Sequence, residues 1–224
     1  MKHAAHSDWS GYVVPQSDYD KDSITATEST WVQPAVKETP GAPTSTDYHA
    51  APDASFWTGT GTSNVIQAGC DSIATETPQY RCWTEDYPEG THWEGPTISP
   101  GDSIYVNVNY IGANIADYFI EDETTGVASA FANPVPDVGL DSADFAAEAP
   151  GIATGFYLPN YGTVPVSGNV FTVESNALSY TDYQLSSGNG TADEIYDEDS
   201  GDILSAPTPV ASDGSFSQVY QAPS

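Results

Sequence analysis

The chain has 224 residues, of which 32 are Asp or Glu and four are Lys or Arg, for a formal net charge of −28. With Lys2, Lys21, Lys37 and Arg81 as its only strong bases it has nothing to neutralise a phosphate backbone, which argues against any nucleic-acid partner. It also has no run of about 18 apolar residues, so no membrane span is expected.

Two environments suit such a surface. High salt screens the self-repulsion of clustered carboxylates. Strong acid protonates them, and the scarcity of bases then keeps the residual positive charge small. Val, Thr, Tyr and Ser abound, good helix formers are few, and Gly and Pro recur every few residues. That composition predicts many short strands joined by turns, hence an all-β fold, an antiparallel two-sheet sandwich. No linker, repeat or composition break appears, so one domain over residues 7–222 is expected.

In chain order, Asp8 to Val14 opens the fold with an aromatic, a glycine and then a strand, Ser17–Asp20 reads as a turn, and Ile24 to Val32 as a second strand. Residues 37–53, rich in Pro, Thr and Ala, read as an exposed loop. Ser55–Gly59 leads into Asn64–Asp71, where Val65 and Ile66 are followed by Gln67 with Gly59, Gly61 and Gly69 around it. Glycines in strands mark close approaches of backbone or ligand, and an amide facing a cleft can donate to an oxygen gaining negative charge. The plainer alternative is an exposed Gln on a strand face. In Tyr80–Pro88 alternation puts Arg81, Trp83 and Glu85 on one face. Ile104, Val106 and Val108 should face inward from a period-two strand, with Tyr105, Asn107 and Asn109 outward. Further strands are expected at 118–122, 144–150, 164–166, 169–173, 179–185 and 216–220, and an acidic loop at 191–202.

Cys70 and Cys82 flank a candidate hairpin loop at 75–78 and could pair across it, as suits an exported protein; two free buried thiols are the alternative. No apolar region follows Met1–Ala5, so any export signal is expected to have been removed already. The expected location is therefore extracellular.

The segments Ser7–Gly11, Phe56–Gly59, Ile66–Gly69, Trp83–Glu89, Ile98–Ile104, Thr124–Gly126, Ala143–Glu148 and Leu158–Gly162, in this order, resemble the eqolisin family of glutamic peptidases. That resemblance implies an acid-active endopeptidase on a concanavalin A-like, lectin-type jelly roll, with a polypeptide substrate, no cofactor or metal, and a monomeric state. It places the catalytic pair on Gln67 and Glu148, with Trp57, Glu85 and Trp9 as substrate-binding residues. In this reading Glu148 is first base, then acid, and Gln67 positions the water and donates to the oxyanion. The bland reading of Glu148 is a solvated carboxylate at a strand end. Three positions depart from the family pattern: Gly61 and Ala149 stand where acids are usual, and so does Arg81.

Rival signals are weaker. Asp199-Ser200-Gly201 is the triplet of pepsin-like peptidases, but it lies in an acidic loop. The acids of 193–202 could hold calcium, yet they lack the EF-hand glycine spacing. The histidines are scattered, His3 and His6 in what reads as a flexible end. The rival function class is a non-catalytic module binding glycan through exposed Trp83, Trp93, Tyr105 and Tyr110, and a folded but inactive family member is a third option.

Overall fold

The structure, a computed structural model, describes residues 3–6, 8–20, 22–37, 45–46, 51–135, 137–150, 158–175, 179–197 and 200–222. Its strands in chain order are β1 (His3–His6), β2 (Trp9–Pro15), β3 (Ser23–Val32), β4 (Asp53–Thr60), β5 (Val65–Ile73), β6 (Gln79–Tyr87), β7 (Gly90–Trp93) and β8 (Ser103–Gly112). The remainder are β9 (Ile115–Asp122), β10 (Val127–Pro134), β11 (Ser142–Glu148), β12 (Thr163–Glu174), β13 (Tyr180–Gln184), β14 (Thr191–Tyr196), β15 (Ile203–Pro207) and β16 (Phe216–Tyr220). One 3-10 turn, Gln16–Tyr19, follows β2.

The strands form one hydrogen-bonded path, β10-β9-β8-β3-β12-β16-β15-β14-β2-β11-β4-β5-β6-β7, with antiparallel pairing throughout. The path folds over itself, so β4 lies on β3 and β8, and β5 lies on β8 and β9. This is a two-layer β-sandwich, as the composition predicts. Ile104, Val106 and Val108 point inward and share one apolar cluster with Ala54, Phe56, Ile66, Ala68 and Cys70 of the opposite layer. A strand with one wet face shows alternating burial, as β8 does. By contrast every residue of β4 is buried, and nearly every residue of β5 and β11. Their outward faces are therefore covered too, and the polar residues there need hydrogen-bond partners or a neutral form.

Several expectations are corrected. Residues 163–174 form one strand, not two, with an irregular register between Ser167 and Val170 where Gly168 takes φ +62°. The first half of the expected acidic loop is β14, with Ala192, Asp193 and Ile195 buried, because β2 and β15 on either side satisfy its backbone. Asp53, expected in an exposed loop, opens β4 and is 7% exposed; residues 38–44 and 47–50 of that loop lie outside the described residues. His3 and His6 belong to β1, which pairs in parallel with β14, not to a free end. The strands β7, β10 and β15 are additions to the sequence reading. Asp199 of the pepsin-like triplet and residues 151–157 lie outside the described residues.

Cys70 and Cys82 sit directly opposite on β5 and β6 and form a disulfide. Closing a loop of this length restricts the unfolded chain by about 3 kcal/mol. The Cys70→Ala/Cys82→Ala variant is therefore expected to melt about 6–12 °C lower, and an unchanged thermal melt would assign the bridge no such role.

Candidate active site

The covered face of β14, β2, β11, β4, β5, β6 and β7 carries the candidate site, and strand register sets its layout. Counting outward from the Cys70–Cys82 pair puts Gly69 opposite Trp83, Asp71 opposite Arg81, and Gln67 opposite Glu85. On the other side of β4, Glu148 stands opposite Ser55 and Ala146 opposite Trp57. Arg81, Trp83 and Glu85 do share one face, as their alternation predicts, and it is this one.

Two glycines let the large side chains lie flat. A Cβ on Gly69 would come within 2.6 Å of the Trp57 Cβ, and one on Gly59 within 2.8 Å of the Gln67 Cβ. Only a bare backbone at these points leaves room for the indole and the amide. Trp57, Trp83 and Ala146 form a small apolar cluster of their own, joined by Trp9, whose ring centroid is 6.1 Å from that of Trp57.

Every sequence-predicted site residue lies on this face. Gln67, 7% exposed, donates through Nε2 to Glu85 Oε2 at 2.5 Å. The other carboxylate oxygen of Glu85 accepts from Thr91 Oγ1 at 2.8 Å. Glu148, at the end of β11, accepts from Trp57 Nε1 at 2.8 Å. Gln67, Glu85 and Glu148 line one cavity of about 330 Å³. Trp9 and Trp57 line an adjoining, more apolar one of about 370 Å³. Among the described hydrogen bonds none joins Gln67 to Glu148 directly; each is held by its own partner.

Glu148 is half-buried, since the cleft reaches it, but protein encloses the carboxyl deeply. Its pKa is pushed up to about 8, first by that burial and then by the charge of Asp8, against the opposing Trp57 hydrogen bond; Glu85 and Asp71 push the same way. In acid its proton therefore stays on.

Sequence reasoning missed Asp8, Asp53 and Asp71 as parts of this cavity. Asp71 accepts from Ser55 Oγ at 2.5 Å and Trp83 Nε1 at 2.7 Å, and faces Arg81 Nε at 3.5 Å. The disulfide register would have revealed the Asp71–Arg81 and Gln67–Glu85 pairs. No local signal marks Asp53. Ala149, at another departure, is buried and donates its N–H to the Asp8 carbonyl. Of the four aromatics of the glycan-binding alternative, Trp83 is 4% exposed and the Arg81 guanidinium covers the exposed Trp93 at 3.2 Å, while Tyr105 and Tyr110 are partly buried. No group of three or more potential metal ligands occurs among the described residues.

The profile of the Peptidase A4 family matches residues 7–205. No curated protein sequence matches. Among solved structures, scytalido-glutamic peptidase with a peptide-based transition-state analogue superposes with TM-score 0.74 at 18% identity, covering 97% of this chain and 100% of that one. SCP-B, an eqolisin-family peptidase in complex with the tripeptide Ala-Ile-His, gives TM-score 0.70 at 16% identity with the same coverage. Aspergilloglutamic peptidase from Aspergillus niger gives 0.62 at 22% identity, covering 75% of this chain and 99% of that one.

Proposed function

This chain belongs to the Peptidase A4 family, the glutamic peptidases, and we propose that it is an extracellular, acid-active endopeptidase that uses Gln67 and Glu148 to add water to a peptide bond. The observation that carries this reading is that Gln67, Glu85 and Glu148 line one cavity. The domain doing this work spans residues 7–222 and acts as a monomer on polypeptide. Its disulfide suits export, and among the described residues no helix is long and apolar enough to cross a membrane.

The order of proton transfers differs from the base-first scheme. Because Glu148 holds its proton in acid, it first donates to the scissile carbonyl oxygen, which makes the carbon electrophilic. The carboxylate so formed takes a proton from the attacking water, leaving a neutral tetrahedral diol and a reprotonated Glu148. That proton passes next to the amide nitrogen and the C–N bond breaks. The proton left on the new carboxyl group returns to Glu148, so one water is consumed overall.

Gln67 has two amide hydrogens. Glu85 holds one, which aims the amide; the other faces the tetrahedral oxygen, and its carbonyl orients the water. Trp57 fixes the rotamer of Glu148 through its indole N–H.

The test is cleavage of a denatured protein at pH 2–5. Wild type is expected to cut, and Gln67→Ala to lose about 10²–10³ in kcat, the usual cost of one such donor. Absence of cleavage by wild type at any pH would overturn the reading.

A further inference from the structure

We propose that Asp53 and Arg81 form a substrate subsite for a planar side chain carrying a carbonyl acceptor beside a hydrogen-bond donor, namely the carboxamide of Gln or Asn or the protonated carboxyl of Glu or Asp. The inference rests on the peptidase reading, but neither residue has a role in that chemistry.

Asp53 is buried, lines the cleft, and leaves its Oδ1 without a hydrogen-bond partner. Buried polar atoms are rarely left so, and one belonging to a residue that lines a binding cleft points to a ligand. The two carboxyls of Asp53 and Asp71 are hydrogen-bonded to each other, and burial followed by the Asp71 charge holds the Asp53 pKa well above its ordinary value. Asp53 therefore keeps a proton and gives it to Asp71, which leaves Oδ1 as a pure acceptor.

Arg81 supplies the complementary half. Its guanidinium carries five donors and no acceptor. It lines the same cleft, is stacked on Trp93, faces Asp71, and acts electrostatically on Asp53. A carboxamide can accept from the guanidinium while its N–H₂ donates to Oδ1, and a protonated carboxyl does the same with its O–H. A lysine meets the Arg81 charge, an ionised carboxylate meets the Oδ1 lone pairs, and an aliphatic side chain leaves Oδ1 unpaired. The acidic cavity alone would instead favour basic side chains.

Register gives the position. Glu148, Ser55, Asp71 and Arg81 are successive cross-strand neighbours, and Asp53 lies two residues along β4 from Ser55. At about 4.8 Å per strand and 3.4 Å per residue, the subsite lies roughly 8–14 Å from Glu148, or two to four residues of extended substrate from the scissile bond.

The test uses peptides carrying Gln, Glu, Leu or Lys at each position from four residues before the scissile bond to four after. Two readouts are taken at pH 3.5 and pH 6: kcat/KM of the wild type, and affinity for the Glu148→Gln protein by calorimetry. At one position two to four residues from the bond, Gln is expected to exceed Leu at least 10-fold, with Lys last. Glu should match Gln at pH 3.5 and fall behind at pH 6. Asp53→Ala and Arg81→Met should bring the Gln-to-Leu ratio near one, and Arg81→Met should admit Lys. Asp53→Asn, an isostere of the protonated acid, should keep the preference, which separates recognition from a folding defect.

Cleavage without a Gln preference, or a preference that survives both Asp53→Ala and Arg81→Met, overturns the subsite. Gln-selective binding without any cleavage sinks the peptidase reading and leaves the subsite standing. Neither cleavage nor binding sinks both.

Discussion

Glu148→Gln is expected to abolish peptide cleavage, with a loss of at least about 10³-fold, because one residue moves every proton in the proposed cycle. The substitution keeps the shape of the site: the Gln carbonyl can still accept from Trp57 Nε1. What it removes is the transferable proton, so the loss should appear in kcat far more than in KM. The wild-type pH profile gives the sharper result. With the pKa of Glu148 near 8, a mechanism that begins by donating a proton loses rate as pH rises through that value. A base-first mechanism gains rate over the same range. Initial rates from pH 3 to pH 9, with folding monitored at each point, separate the two, and a rate that climbs through pH 8 would refute donor-first transfer.

The second large effect is on stability, and its sign runs opposite to that of ordinary paired carboxylates. Burial raises the pKa of Asp53, Asp71, Asp144 and Glu148 above their ordinary values. A group whose folded pKa is raised binds more protons folded than unfolded between the two values, so stability falls with rising pH across that window. For Glu148 the window runs from about 4.5 to about 8. The Glu148 shift alone amounts to about 4–5 kcal/mol, which for a chain of this size means a melting temperature about 10–20 °C lower at pH 8 than at pH 4, and the three aspartates act in the same direction.

Thermal melts followed by circular dichroism check this, and a flat or rising profile would rule it out. Repeating the melts at pH 8 in 2 M salt separates the two habitats that the net charge allows. Salt screens the carboxylates of the surface but does little for those that resist ionising through burial. Recovery in salt would mark surface repulsion as the main cause, whereas a persistent loss would mark burial and an acid-adapted interior.

The site lay partly within reach of the sequence. A period-two face needs only local spacing, so the alignment of Arg81, Trp83 and Glu85 and the inward set on β8 were readable. Motif order along the chain was enough for the family, which the match over residues 7–205 bears out. Asp53 and β14 were misread for one shared reason. Acidic or loop-like composition signals exposure only when no neighbouring strand supplies partners, and here β5 flanks Asp53 while β2 and β15 flank β14.

Taken alone, then, the sequence determined the strand-rich class, the alternation of faces, the family and the cross-hairpin cysteine pair as one of two options. These depend on residues near one another in the chain or on motif order. Only the tertiary structure decided that Trp57 holds Glu148, that Glu85 holds Gln67, that Asp53 leans on Asp71, and that Glu148 keeps its proton to about pH 8. Each depends on which strands lie side by side and how much water they exclude, and both quantities come into being only when the sheet closes over its cleft.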